Sequence, residues 1–243
     1  MRYLNGKQGK IAFYQIAGKQ PGVVFLGGFM SDMEGTKATY LEALCKEWGQ
    51  AYVRFDYAGH GMSEGKLEKG TIGGWLEDTL LIIDELTQGP QILVGSSMGG
   101  WLMVLAALKR IHRIQGLVGI AVAPDFIEDF ERLTPTEHLA LEKEGICYIP
   151  SQYGDKPYPI SRQLIEEGHH HRLLHQSIPL DCPVRLLHGL ADTDVPWQKS
   201  LKLAERLASK DIIITLIKDG DHRLSHASHL KILAENLQPL LDQ

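Results

Sequence analysis

The 243-residue chain carries 25 Lys and Arg against 30 Asp and Glu, a formal charge of −5, and 44% of its residues are apolar. That mix is too hydrophobic for a disordered chain, and without a basic run it gives no electrostatic footprint for nucleic acid or an anionic membrane. The length bounds the chain to one or two domains, and one domain spanning 1–243 with an insertion is expected, because single α/β domains routinely run this long.

In chain order, β-rich runs at 10–16 and 23–26 are followed by apolar residues at helical spacing, Leu41, Leu44, Cys45 and Trp48. A strand at 51–55 ends in the glycine-rich turn Asp56-Tyr57-Ala58-Gly59-His60-Gly61. The next helix gathers Ile72, Trp75, Leu76, Thr79, Ile83 and Leu86 on one side. A strand at 91–94 leads into 98–108, a helix apolar all round and therefore buried. One more buried strand is expected at 116–122. Repeated β-then-α units with continuous apolar strands predict an α/β fold, a mostly parallel twisted sheet with helices on both faces. The rhythm then lapses over 125–181, a proline-punctuated stretch with polar helical segments near 136–144 and 161–174, which reads as a small helical cap inserted after the sixth strand. It resumes with a strand at 184–187, a helix at 198–208, a strand at 212–217 and a closing helix at 227–241.

Cys45, Cys147 and Cys182 are odd in number and lack C-x-x-C spacing, which argues against a disulfide scaffold and a cysteine zinc site and predicts a cytoplasmic location. Met1 leads almost directly into strand-like sequence with no basic segment and apolar core of a signal peptide, and no mitochondrial presequence is read there. The uncharged stretch 86–108 is broken by Gln88-Gly89-Pro90-Gln91 and Gly95-Ser96-Ser97, so no membrane span is expected and the protein is read as soluble.

The strongest local signal is Gly95-Ser96-Ser97-Met98-Gly99, a G-x-S-x-G between a strand and a helix, the context of a nucleophile elbow. Ser97 has glycines two positions to either side, whereas Ser96 would have Val94 and Met98, so Ser97 is the expected nucleophile. A hydroxyl needs a base to remove its proton. The chain order Ser, acid, His places that base after the last strand, at His222 in Lys218-Asp219-Gly220-Asp221-His222. His226 and His229 fall in or beside the closing helix, and His188 is expected to pack locally. The acid should follow the strand at 184–187; Asp192 and Asp194 both fit, with Asp125 a weaker third. The backbone N–H groups of Met98 and Phe29, the latter in Gly27-Gly28-Phe29-Met30, are the expected oxyanion donors. Met30 and Trp197 are assigned to substrate binding, and Phe126, Tyr148 and Tyr153 join Trp197 as candidate pocket aromatics.

Two other features point to less. His169-His170-His171-Arg172 with His175 brings no carboxylate or cysteine at ligand spacing, so neither a metal nor any other cofactor is expected. The Asp56–Gly61 glycines lack the dinucleotide and Walker patterns and read as a tight turn.

With Gly95-Ser96-Ser97-Met98-Gly99, Asp192 and His222 in this order, the chain resembles the α/β-hydrolase superfamily along almost its whole length. A narrower likeness is carried by Gly35-Thr36-Lys37-Ala38, Arg54-Phe55-Asp56-Tyr57, the run from Gly89 to Ser97, Gly99-Gly100-Trp101-Leu102-Met103, Arg185-Leu186-Leu187-His188-Gly189, Val195-Pro196-Trp197 and Asp221-His222-Arg223. These runs are similar to a mitochondrial acyl-protein thioesterase group that also hydrolyses acyl glucuronides. The resemblance implies a cofactor-free serine hydrolase of carboxylic esters or thioesters, with acylated proteins or acyl glucuronides among its substrates. In that group the acid stands four positions after the His of His-Gly, which selects Asp192 over Asp194. Gly27-Gly28 stands where the superfamily usually carries His-Gly. The competing reading is a ligand-binding protein on the same scaffold with little turnover; within the enzyme class, a serine peptidase or a carbon–carbon bond hydrolase uses the same triad.

Overall fold

The computed structural model describes residues 1–151 and 157–242, the side chains of residues 131 and 132 excepted. Ten strands and seven α-helices follow one another along the described residues: β1 (Arg2–Gly6), β2 (Gly9–Ile16), β3 (Lys19–Leu26), α1 (Thr36–Trp48), β4 (Gln50–Phe55), α2 (Ile72–Leu86), β5 (Gln91–Ser96), α3 (Met98–Lys109), β6 (Ile114–Ile120), α4 (Pro135–Glu144), β7 (Ile146–Ile149), β8 (Tyr158–Ser161), α5 (Arg162–Gly168), β9 (Val184–Gly189), α6 (Gln198–Arg206), β10 (Ile212–Ile217) and α7 (Ala227–Leu241). Eight strands form one sheet in the order β1-β2-β4-β3-β5-β6-β9-β10. Among the described residues of this sheet, only the β1–β2 and β2–β4 pairs are antiparallel.

Alternation along the strands divides the interior in two. Val23 and Phe25 of β3 face one side, with Leu41 and Cys45 of α1 and Leu233 and Leu237 of α7. Val24 and Leu26 face the other, with Trp75 of α2 and Trp101 and Leu102 of α3. Helices thus cover both faces, as near-continuous apolar parallel strands require. The α3 helix is buried along almost its whole length.

The register brings the strand ends together: Leu26 pairs Gly95, Ser96 pairs Ile120, Ile120 pairs Leu187, and Ile217 pairs Gly189. The chain leaves β3 for β4 on one side and returns to β5 on the other, so a crevice opens between the loops after β3 and β5. Backbone strain collects on the same rim, with Met30, Ser97, Ala121, Asp125 and Leu224 all at positive φ.

Between β6 and β9 the chain departs from the expectation of two polar helices. The second stretch, 161–174, is helical only over Arg162–Gly168 and continues as a 3-10 turn at His169–His171. Gly168 packs so tightly on Ile127 that a Cβ there would lie 3.0 Å from its side chain. A short antiparallel hairpin of β7 and β8, absent from the sequence reading, joins the two helical parts. Asp125, the weakest of the three expected acids, ties the ends of this segment together: its carboxylate accepts the N–H groups of Leu173 at 2.8 Å and Leu174 at 2.8 Å.

Candidate active site

Ser97 stands between β5 and α3 with φ 55° and ψ −120°, a left-handed conformation that costs a non-glycine residue roughly 1–3 kcal/mol. Its flanks show why the elbow needs glycine. A Cβ on Gly95 would collide with the Gly99 carbonyl, and one on Gly99 would collide with the carbonyls of Leu26 and Gly27. The strained turn is pinned by hydrogen bonds from Ser97 N–H to the Ile120 carbonyl at 2.9 Å and from Ala123 N–H to the Ser97 carbonyl at 3.1 Å. Ser97 is partly exposed within an otherwise buried run, whereas Ser96 is buried at the end of β5.

His222 Nε2 lies 3.0 Å from Ser97 Oγ, and His222 Nδ1 lies 2.8 Å from Asp192 Oδ2. The structure therefore brings together the serine, the imidazole and the first of the two candidate acids. Asp194 is not on the imidazole; its backbone N–H donates instead to Asp192 Oδ1 at 2.9 Å, as does that of Val195 at 2.9 Å. Burial alone would raise the Asp192 carboxyl, but hydrogen bonds from His188 and His222 outweigh it and hold the group well below the usual carboxylate range. It stays an anion with a fully buried side chain.

The loop after β3 closes the other side. A Cβ on Gly28 would lie 3.4 Å from Ser97 Cβ, so the backbone at Gly28 runs beside Ser97. The Asp56 carboxylate anchors this loop by accepting from Met33 N–H at 2.6 Å while also accepting from Met62 N–H at 2.7 Å. That is the structural use of the Asp56–Gly61 turn. Met98 is the first residue of α3, where a backbone N–H has no intrahelical partner.

A cavity of about 530 Å³ opens at Ser97 and His222. Much of its wall is apolar, from Phe29, Phe126, Phe130, Ile149, Tyr158 and Ile160. Phe29 lies in this wall, stacked on Tyr158 at 5.8 Å between ring centroids and tilted against Phe126 at 6.2 Å. Its polar lining includes Lys37 and Arg223. Of the expected substrate-binding residues, Met30 lines the cavity and Trp197 does not: Trp197 stands at the cap position of α6. Tyr148 is exposed on β7, pointing away because Ile149, its neighbour in the alternation, faces inward. Tyr153 lies outside the described residues. Phe130, Tyr158 and Ile160 were missed by the sequence reading, since only the pairing of β7 with β8 brings the last two inward.

The remaining histidines divide by position. His171 Nε2 meets Glu167 at 2.6 Å, and the same carboxylate accepts Gly73 N–H at 3.1 Å at the start of α2. His169 and His170 are exposed. Among the described residues no group of three or more His, Cys, Asp and Glu could hold a metal ion. His226 and His229 pack edge-on at 5.4 Å at the start of α7.

A serine, an imidazole and a carboxylate in line at the carboxyl ends of a mostly parallel sheet, with a strained elbow beneath the serine, is an arrangement characteristic of the serine hydrolases of the α/β class. The chain belongs to the alpha/beta hydrolase family, whose model matches residues 23–235. It is 44% identical over 235 residues, 96% of this chain and 77% of the relative, to a protein of Bos taurus named palmitoyl-protein thioesterase ABHD10, mitochondrial. The structure of alpha/beta hydrolase domain-containing protein 10 from mouse superposes with a TM-score of 0.92 at 42% identity, over 99% of this chain and 98% of that one. Est1E from Butyrivibrio proteoclasticus, at 20% identity and a TM-score of 0.78 over the whole of both chains, shares the fold.

The expected cytoplasmic location does not stand, because the relatives that cover nearly the whole chain are named as mitochondrial. The free cysteines Cys45, Cys147 and Cys182 do not single out the cytoplasm. Among the described residues no helix is long and apolar enough to cross a membrane.

Proposed function

We propose that this chain hydrolyses carboxylic thioesters and esters through an acyl intermediate on Ser97, with His222 as base and then acid and Asp192 as the residue that orients it. The observation that carries the reading is the continuous line from Ser97 Oγ to His222 Nε2 at 3.0 Å and from His222 Nδ1 to Asp192 Oδ2 at 2.8 Å. Because Nδ1 faces a carboxylate it carries the proton, which leaves the Nε2 lone pair aimed at the serine hydroxyl.

Ser97 Oγ attacks the acyl carbon as its proton passes to His222 Nε2. The backbone N–H groups of Met98 and Phe29 receive the negative charge on the carbonyl oxygen, each worth roughly 3–4 kcal/mol if removed. As the tetrahedral adduct collapses, the leaving thiolate or alkoxide takes the proton from Nε2. Water then attacks acyl-Ser97, giving its own proton to Nε2. The carboxylic acid departs as Ser97 recovers its hydrogen. Asp192, held ionised by its hydrogen bonds, stabilises the imidazolium in both halves without accepting its proton.

Acyl thioesters are the favoured substrate class. The apolar wall of the cavity, with Phe29, Phe126 and Phe130, suits a hydrocarbon acyl group, and the relatives in cattle and mouse are named as palmitoyl-protein thioesterases. An acylated protein is the finer reading of the leaving group. Residues 1–243 act as one domain, in which 125–181 forms a cap over the cavity. Turnover of an acyl thioester by the parent chain and by Ser97→Ala tests the proposal: the variant should fold and lose activity, and retained activity would place the nucleophile elsewhere.

A further inference from the structure

The carboxylate of Asp192 meets a second imidazole. His188, in β9, has Nε2 3.1 Å from Asp192 Oδ2 and 3.0 Å from the Val195 carbonyl oxygen, while its Nδ1 lies 2.7 Å from Ser200 Oγ. His188 and Ser200 are both fully buried. Nε2 faces two acceptors and therefore carries a proton. The Ser200 hydroxyl can then donate to Nδ1, so one neutral tautomer satisfies every polar atom of the ring. Ser200, His188 and Asp192 thus repeat the order of Ser97, His222 and Asp192 on the same carboxylate. The repeat is sealed: neither Ser200 nor His188 lines the cavity, so neither can meet a substrate.

We propose that His188 is a positioning residue for the hydrolysis, fixing the Asp192 carboxylate toward His222, with Ser200 fixing the His188 tautomer. The proposal rests on the reading of Ser97, His222 and Asp192 given above. Asp192 Oδ1 is held by two backbone N–H groups, from Asp194 and Val195, whereas among the described residues Oδ2 meets the two imidazoles. One of them, His222, must exchange protons and shift during turnover. Torsion about a carboxylate is broad, so a fixed second donor on Oδ2 keeps the acceptor pointed at Nδ1 while the first one works. Packing does not explain the choice of residue. A buried aliphatic side chain would fill the same space without the cost of desolvating an imidazole.

The experiment compares His188→Leu, His188→Gln and Ser200→Ala with the parent chain, measuring kcat and KM separately for p-nitrophenyl butyrate and recording thermal unfolding, with Ser97→Ala as the zero. His188→Leu should lower kcat about 100-fold with KM within about twofold, the loss typical of a misplaced catalytic group. His188→Gln, which can still present an N–H toward Oδ2, should recover at least about tenfold of that loss, and Ser200→Ala should lower kcat by roughly three- to tenfold. A folded His188→Leu with unchanged kcat overturns the proposal, as do equal losses in Leu and Gln that simply follow their melting temperatures. If His188→Leu does not fold, Ser200→Ala decides: a lower kcat at unchanged KM and unchanged melting supports the role, and an unchanged kcat overturns it. Turnover that survives Ser97→Ala would instead overturn the reading of the site itself, and this proposal with it.

Discussion

Gly189, the last residue of β9, lies so close to Gly220, in the turn after β10, that any side chain at 189 would run into the Gly220 carbonyl oxygen. The same oxygen accepts the N–H of Ala191 at 3.0 Å. This contact clamps the loop that carries Asp192 to the loop that carries His222. Gly189→Ala must push them apart, and overpacking of this kind costs about 1–3 kcal/mol. The expected result is a melting temperature several degrees lower together with a fall in kcat of about 100-fold. Full activity in a folded variant would show that the two loops keep their geometry without the clamp.

Asp192 and Asp194 respond differently to the same substitution. Asp192→Asn replaces the acceptor on His222 Nδ1 and should lower kcat by roughly 10⁴, the scale seen when a triad histidine is held in the wrong tautomer. Asp194→Asn keeps the backbone N–H that donates to Asp192 and should change kcat by no more than about threefold. Steady-state turnover of one activated ester by both variants checks this, and the reverse ranking would move the acid to Asp194.

Much of this architecture is legible in the residues alone. The strands β5 and β10 and the helices α3 and α7 announce themselves because their apolar patterns are long and end at glycines or polar turns. The elbow glycines are readable because their need is steric and local. The β7–β8 hairpin is not, since each strand has four residues and β8 contains Pro159, which sequence reasoning reads as a strand breaker. The choice between Asp192 and Asp194 depends on which way one loop folds, and it came from family resemblance and not from spacing. His188 reads as an ordinary strand-end histidine; its bond to Asp192 exists only once Ser200 and Val195 fold over it. Trp197 shows the opposite error, a large aromatic beside the site whose side chain stays outside the cavity.

Two buried groups around Ala58 should oppose each other in acid. Burial lowers His60 from 6.5 to about 4, and burial raises Asp78 from 3.8 to about 6. A histidine depressed in the folded state contributes stability that is complete above 6.5 and lost as pH falls toward 4. A carboxyl raised in the folded state contributes stability that is complete below 3.8 and lost as pH rises toward 6. Each shift is on the order of 3 kcal/mol at about 1.4 kcal/mol per pKa unit, so the two slopes nearly cancel between pH 4 and 6. His60→Phe, among the rings of Phe29, Tyr57 and Trp75, should leave a stability that falls across that window relative to the parent, and Asp78→Asn one that rises. Urea unfolding at several pH values measures both; three parallel curves would contradict the assignment.

Lys37 reaches from α1 to the backbone beside His222, with Nζ donating to the Arg223 carbonyl at 2.5 Å. Burial, helped by the charge of Arg223, brings its ammonium down to about 8. Lys37→Met keeps the stem and removes the donor, which should loosen the His222 loop and lower kcat about tenfold. A change in KM alone would mean that Lys37 only lines the cavity.

The central claim is that one hydroxyl, that of Ser97, becomes the acyl carrier. Incubation with a fluorophosphonate followed by peptide mass spectrometry tests it most directly. The account predicts a single phosphonyl adduct on Ser97, lost in Ser97→Ala and formed far more slowly in His222→Ala. An adduct on Ser96 or any other residue, or labelling at the parent rate without His222, would contradict it.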